Sequence, residues 1–434
     1  MKNNFNNYKK LLSQLVLIKS ISTNKKYAND ITKTIEWLKN LFLLNKFSVK
    51  VIESKNSNPI VMAKYEAGED LQTLLIYGHY DVQPAEKSDG WKNEPFKLCE
   101  SDKKLFGRGI VDNKGQILIH IVTALDLIKE KKLKYNLIFL IEGNEETGNP
   151  DMANVIKKYK DDLKCHTALI SDGELTNDKP TIEISLRGGF NATLVYETNN
   201  NNLHSGLYGG GVASAPAEMT KFLNKLINKD GGVNFKDFYI DMDKISKKEL
   251  DNCKVLSLKA KGLMKAKDFF INTGLKPTIQ ITGLKSGYID EGYANIVPAT
   301  AEVRLNFRIV ASQKAKTIAK VFENFVRVNT PRYVKYELKF NGLHDPIKID
   351  TSSQFVTKIE KLLKNIYRSK VNRKNVGGAI PVVADFKNIL QIDTLLIPLC
   401  NEDCNMHGTD ENFDIKLIKK GLEFSKKLLS KDYE

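Results

Sequence analysis

Four apolar runs of strand length dominate the hydrophobic pattern, and each breaks directly into polar residues: LLIYGHYD from Leu74, LIFLIEGNEE from Leu137, ALISDGE from Ala168 and LLIPLCNEDCNMHG from Leu395. Runs this continuous, rich in Leu and Ile, predict strands buried on both faces of a largely parallel sheet. Helical periodicity fills the intervals, notably in ILIHIVTALDLIKE and MANVIKKYK. Strand and helix in alternation predict an α/β sheet wound on both faces. Ligands of such sheets collect at the carboxyl ends of the strands, where all four polar clusters fall.

From about Thr181 the pattern changes. TIEISLRGGFNATLVYETNN alternates apolar and polar residues at strand period, as do TAEVRLNFRIV and VKYELKFNG later; half-exposed antiparallel strands are expected. SAPAEMTKFLNKLIN and SQKAKTIAKVFENFVRV supply helices between them. The expected organisation is a catalytic α/β domain of residues 1–184 and 345–434, interrupted by an α+β lid and dimerisation domain at 185–344. At the N-terminus, Tyr8, Leu11, Leu12, Leu15 and Val16 recur at helical spacing, which predicts an amphipathic helix rather than a signal peptide.

Composition narrows the class. With 434 residues, 41% hydrophobic and 27% charged, the chain has the makeup of a folded soluble protein of about two or three domains. Its net charge of +15 raises a nucleic-acid reading, but the lysines are dispersed, and runs such as Lys129 to Lys134 fit solvated helix ends; neither a nucleic-acid nor a membrane partner is expected. Cys99, Cys165, Cys253, Cys400 and Cys404 include no C-x-x-C pair, which points to a reducing cytoplasm rather than a disulfide framework or zinc finger.

The candidate chemistry lies in the polar clusters. His79 and Asp81 in GHYDVQP stand two apart, so one imidazole could bind metal while the aspartate, directly or through the surrounding chain, fixes its tautomer. Asp112 follows in GRGIVDNKG, where a helix cap is the commoner use of an aspartate. Glu145 and Glu146 stand side by side; alone they read as a solvated acidic loop, but at a buried sheet edge adjacent carboxylates call for cations. Asp172 in SDGE and His407 in NMHGTDE repeat the pattern. Two histidines and several carboxylates at four strand ends form a mixed nitrogen and oxygen donor set suited to zinc, manganese or cobalt, enough for two metals sharing one carboxylate.

In GHYDVQP, GRGIVDNKG, EGNEETGN, SDGE, LHSGLYGGG, ANIVPATAEV and NEDCNMHG, in that order, the chain resembles the cocatalytic metallopeptidases that include carnosine dipeptidases, carboxypeptidases, aminoacylases and desuccinylases, and most of all the carnosinase-like dipeptidase branch. The resemblance implies that His79, Asp112 and Asp172 hold one metal and Asp112, Glu146 and His407 the other, with Asp112 bridging. It makes Asp81 the partner of His79, Glu145 the general base, and the Asp112–Asn113 peptide cis. His204 matches a lid histidine that polarises the scissile carbonyl, used in trans by relatives that are dimers. Asn295 and Arg308 match lid positions that contact substrate and its carboxylate. Related dipeptidases resemble R-E-G-G-S-I-P before the last strands; here Asn375, Val376, Gly377, Gly378, Ala379, Ile380 and Pro381 keep the two substrate-facing glycines but lack the charge and the hydroxyl.

The expected function is hydrolysis of dipeptides or short peptides with a free C-terminal carboxylate, by a metal-bridging hydroxide with Glu145 as base. The cofactor expected is two divalent ions per chain, zinc first and manganese or cobalt as alternatives, and the assembly expected is a homodimer through the lid. An N-acyl amino acid deacylase on the same site is the nearest rival, and a non-catalytic binding or scaffold relative a distant third.

Overall fold

A computed structural model of the chain describes residues 2–228, 232–256, 268–378 and 380–432. Among them, nine strands form a central sheet. Its middle is parallel: Thr73–His79 lies between Asn136–Glu142 and Thr167–Ile170, and Asp393–Leu396 extends the parallel run beyond Thr167–Ile170. The flanks are mixed. Ile60–Tyr65 and Ser48–Ile52 add antiparallel on one side. On the other, Thr181–Leu186 joins Asp393–Leu396 through an antiparallel pairing and carries Asn372–Val376 parallel and Ile347–Lys348 antiparallel to itself.

The apolar runs are buried because helices cover both faces. Leu74, Ile76, Phe139, Ile141 and Leu169 pack against Leu12 and Val16 of helix Lys2–Val16, Leu118 and Val122 of Lys114–Glu130, and Ile418 and Leu422 of Ile415–Leu429. The alternate residues Leu75, Tyr77, Ile138, Leu140 and Ile170 face Ile156, Val383 and Phe386. A strand with apolar neighbours above and below has no polar face to show, hence runs without alternation.

Thr181–Leu186 departs from the half-exposed strand its alternation predicts. It is buried nearly throughout, with Glu183 and Ser185 inside. Ser185 stays satisfied through its hydroxyl, which donates to Asn375 Oδ1 at 2.8 Å. Only from Gly188 does the chain enter a second sheet, ordered Thr278–Ser286, Thr300–Ile309, Gly188–Glu197, Lys335–His344, all antiparallel. Glycine is required at its start: a Cβ on Gly188 would stand 2.4 Å from Pro346 N, and one on Gly189 2.1 Å from Phe307 O. Helices Ala215–Leu226 and Ala315–Asn329 bury one face of this sheet through Phe222, Phe322, Phe190 and Phe307. The short helices Lys247–Lys254 and Phe269–Gly274 have their own apolar cluster, Cys253, Leu256, Phe270 and Leu275. They lie against the edge of the central sheet, where Glu249 pairs with Lys348 at 3.0 Å. No described helix is long and apolar enough to cross a membrane.

Candidate metal centre

The sheet delivers the polar clusters to one place. His79 is the last residue of its strand and pairs in register with Glu142, the last residue of the next. Asp172 follows Thr167–Ile170 by two residues. Asp112 sits just before the buried helix Lys114–Glu130, across a cis peptide to Asn113. Glu145 and Glu146 open a single turn of 3₁₀ helix after Asn136–Glu142. His407 lies in the loop after Asp393–Leu396 at φ 61°, a left-handed conformation that non-glycine residues seldom adopt.

These residues form two triads of mutually close ligand atoms, His79 with Asp112 and Asp172, and Asp112 with Glu146 and His407. His79 Nε2 lies 3.0 Å from Asp112 Oδ1 and 3.5 Å from Asp172 Oδ2. His407 Nε2 lies 2.7 Å from Asp112 Oδ2 and 3.2 Å from Glu146 Oε2. Asp112 thus turns one oxygen to each imidazole.

The electrostatics call for positive charge between these groups. Burial disfavours a charged His79, yet Asp112, Asp172 and Asp81 hold its imidazole well above the ordinary range. Asp112 and Glu146 push His407 up to about 10. Burial would raise Asp112, but the imidazoles of His407 and His79 close beside it keep its carboxyl low. His79 Nε2 and Glu146 Oε1 are buried without a well-formed hydrogen bond, although buried polar atoms are nearly always satisfied. Imidazole nitrogens and carboxylate oxygens that converge, with two atoms unsatisfied, fit divalent cations.

The surroundings orient these donors. His79 Nδ1 bonds to the backbone carbonyl of Asp81 at 3.0 Å. The Asp81 carboxylate accepts the amides of Glu145 and Glu146, both at 3.2 Å, and the Ser22 hydroxyl at 2.7 Å. Gln83 Nε2 donates to Glu146 Oε2 at 2.7 Å. Glu145 is half-buried; burial pushes its carboxyl well up, His79 opposes, and the charges of Asp172, Asp112 and Glu142 add to the rise. Glu142 takes the Tyr77 hydroxyl at 2.5 Å and Asn149 Nδ2 at 2.8 Å, and burial raises it to about 7. Glu142, Ser22 and Gln83 were not apparent in the sequence; only Glu142, a charge ending an apolar run, left a signal there.

The residues expected to contact substrate from a lid stand elsewhere. His204 and Asn295 are exposed and share the ribbon of Leu203–His204 with Ile296–Val297, where Asn295 O accepts the amide of Ser205 at 3.0 Å. Arg308 Nε donates to Asn306 Oδ1 at 3.0 Å. Gly377 O accepts Arg187 Nε at 2.9 Å, and Gly378 O the Arg187 amide at 3.1 Å; Ala379 lies outside the described residues. Among the described residues, no hydrogen bond or ion pair joins His204, Asn295 or Arg308 to the two triads.

Fold and site together define an α/β protein with a candidate two-cation centre at the carboxyl end of its sheet. Residues 75–431 match the family model of Peptidase family M20/M25/M40; the chain belongs to that family and is an enzyme of the metallopeptidase class. It is 27% identical over 395 residues to the Cys-Gly metallodipeptidase DUG1 of Saccharomyces cerevisiae, covering 84% of this chain and 80% of that one. It is 25% identical over 377 residues to the Beta-Ala-His dipeptidase of Homo sapiens, covering 82% of this chain and 74% of that one. The fold matches the metallo-carboxypeptidase Sso-CP2 from Sulfolobus solfataricus with a TM-score of 0.87 at 24% identity, over 96% of this chain and 97% of the other. The relatives agree with the carnosinase-like branch that the motifs resemble.

Proposed function

We propose that this chain is a di-metal dipeptidase that hydrolyses dipeptides or short peptides with a free C-terminal carboxylate. One observation carries the reading: Asp112 lies between two imidazoles, 3.0 Å from His79 and 2.7 Å from His407, the arrangement of a carboxylate shared by two cations. His79, Asp112 and Asp172 would hold one cation; Asp112, Glu146 and His407 would hold the other. Zinc suits this donor set, with manganese or cobalt as alternatives. The dipeptides named for the yeast and human relatives, Cys-Gly and β-Ala-His, support the substrate class.

Two divalent cations held there would supply Lewis acidity for the scissile carbonyl and would bring the pKa of water toward neutrality. Glu145 accepts the proton of the attacking water and returns it to the leaving amine. Asp81 holds the turn that aims Glu145 and Glu146. His204 donates to the developing oxyanion, while Arg308 and Asn295, over the Gly377–Gly378 backbone, grip the substrate carboxylate. In this reading, residues 1–184 and 345–434 make the catalytic domain, 185–344 make the lid, and two chains pair through their lids. The five unpaired cysteines favour a reducing cytoplasm.

The test is a panel of dipeptides and N-acyl amino acids, offered to chelator-treated protein before and after manganese, zinc or cobalt. Free-acid dipeptides should be cleaved only after a cation is restored. Cleavage confined to acyl amino acids would make the chain a deacylase instead, and full activity after verified metal removal would sink the mechanism.

A further inference from the structure

Beneath the two triads lies an ion pair that touches neither candidate cation position. Arg108 and Glu411 are 3% and 0% exposed. Glu411 Oε2 accepts Arg108 Nη1 at 2.8 Å and the Gly109 amide at 2.9 Å; Oε1 accepts the amides of Val111 at 2.9 Å and Asp112 at 3.3 Å. Arg108 Nη2 donates to the carbonyls of Gly408 at 3.1 Å and His407 at 3.3 Å, with Pro84 O at 3.5 Å. The Trp91 ring covers the guanidinium, 5.1 Å from its centroid.

This pair therefore ties together the segment that ends in Asp112, the loop that carries His407 and the loop that follows His79 and Asp81. A buried ion pair is weak evidence for stability, because well-packed apolar residues often serve as well. Its geometry here suits another task. Three backbone amides on one carboxylate fix where Asp112 begins, and the fork of Arg108 carries that position across to the carbonyl of His407. The groups behind ligands commonly set metal affinity in this way.

We propose that Arg108 and Glu411 are positioning residues, which set the separation of Asp112 from His407 and so tune the affinity of the Asp112, Glu146, His407 triad for its cation. The proposal rests on the two-cation reading above. Glu411 acts on Asp112, which both triads share, whereas Arg108 bonds most closely to the His407 loop, at 3.1 and 3.3 Å, and meets Pro84 O only at the longer 3.5 Å. Glu411→Gln turns an amide group toward backbone N–H donors and should weaken both cations. Arg108→Lys keeps the charge, but a single ammonium cannot span Glu411 and two carbonyls, and it should weaken one cation only.

Calorimetric titration of chelator-treated protein with zinc or manganese reads both effects. The unmutated chain should bind two cations. Arg108→Lys should weaken one of them about 10- to 100-fold and leave the other within about twofold, with the melting temperature of the chelated protein little changed. Wild-type affinities in both variants, or equal losses that track a drop in that melting temperature, overturn the positioning role. Failure of the unmutated chain to bind any divalent cation overturns the two-cation reading instead. Hydrogen exchange on the unmutated, chelated protein tests the same idea without a variant: the amides of Gly109, Val111 and Asp112 should be protected before any cation is added. Their rapid exchange would show that the pair does not hold the ligands in place.

Discussion

The Nδ1 atom of His79 bonds to the backbone carbonyl of Asp81 at 3.0 Å, while the carboxylate of the same aspartate stands off at 3.4 Å. The carbonyl can only accept, so Nδ1 carries a proton, and Nε2, once a cation displaced its own proton, would turn its lone pair toward the space between Asp112 and Asp172. The carboxylate spends its acceptors on the Glu145 and Glu146 amides instead. Asp81→Asn should therefore leave two cations bound, since the carbonyl remains, yet lower kcat about 10- to 100-fold by turning an amide group against that turn. Loss of a cation on titration would show that the carboxylate itself, and not the chain around it, holds His79.

Glu145 and Glu146 are neighbours with different surroundings. Glu146 stands 3.2 Å from His407 and takes a hydrogen bond from Gln83; Glu145 makes no side-chain ion pair among the described residues and belongs to neither triad. Glu145→Gln should keep both cations and lose activity by about 100- to 10,000-fold, the usual worth of a general base. Glu146→Gln should lower occupancy at one position. The opposite pattern in metal analysis and kinetics would exchange the two roles.

The candidate ligands His79, Glu146, Asp172 and His407 were legible because each comes after an apolar run, where a parallel sheet must end and its polar residues meet, whereas Asp112, just before helix Lys114–Glu130, was legible through its motif. Arg108 and Glu411 were not, since they meet across 303 positions and mainly through backbone groups, which leave no residue pattern. Thr181–Leu186 misled for a related reason. Alternation records that every second residue is polar, but not whether that residue meets solvent or, like Ser185, a buried partner. The triads needed the fold as well: sequence order brings His79 and His407 no closer than their separate strands, and only the adjacency of Thr73–His79, Thr167–Ile170 and Asp393–Leu396 gathers them.

His120 supplies a pH dependence. It is fully buried, with Nε2 2.9 Å from Ser171 Oγ and Nδ1 3.1 Å from Ser425 Oγ. Because Ser171 donates its own proton to Ile397 O at 2.7 Å, Nε2 is the protonated nitrogen. Burial holds the imidazole down to about 3 from an ordinary 6.5. The unfolded chain then binds a proton that the folded chain refuses. The stabilising contribution is complete above about pH 6.5 and falls away as pH drops toward 3, with a slope near 1.4 kcal/mol per pH unit. His120→Gln should remove that slope, so that denaturant titrations of chelated protein at pH 7 and pH 5 differ by about 2 kcal/mol less in the variant than in the parent. An unchanged difference would mean that His120 is protonated in the folded chain.

The last prediction concerns a second chain. Among the described residues Thr278–Ser286 is an edge strand, paired on one side only with Thr300–Ile309. It presents Ile281 and Leu284 at 42% and 62% exposure, and the exposed Tyr288, Ile289 and Tyr293 follow it. An unpaired edge with apolar side chains is a liability in water unless something covers it; the same edge of a second chain, across a two-fold axis, would do so. His204 is also exposed and, among the described residues, its side chain bonds only within its own loop, its Nδ1 accepting the Gly206 amide at 3.1 Å. Both observations are met if lids pair and each His204 serves the partner's site. Two inactive variants, His204→Ala and Glu145→Gln, mixed under conditions that exchange subunits, test the point. In a mixed dimer one site combines an intact Glu145 with the other chain's intact His204, so about one site in two should recover activity. Leu284→Asp, which puts a charge on the edge, should abolish both the dimer in sedimentation and this recovery. Proven exchange without recovery would assign His204 to its own chain's site or remove it from catalysis.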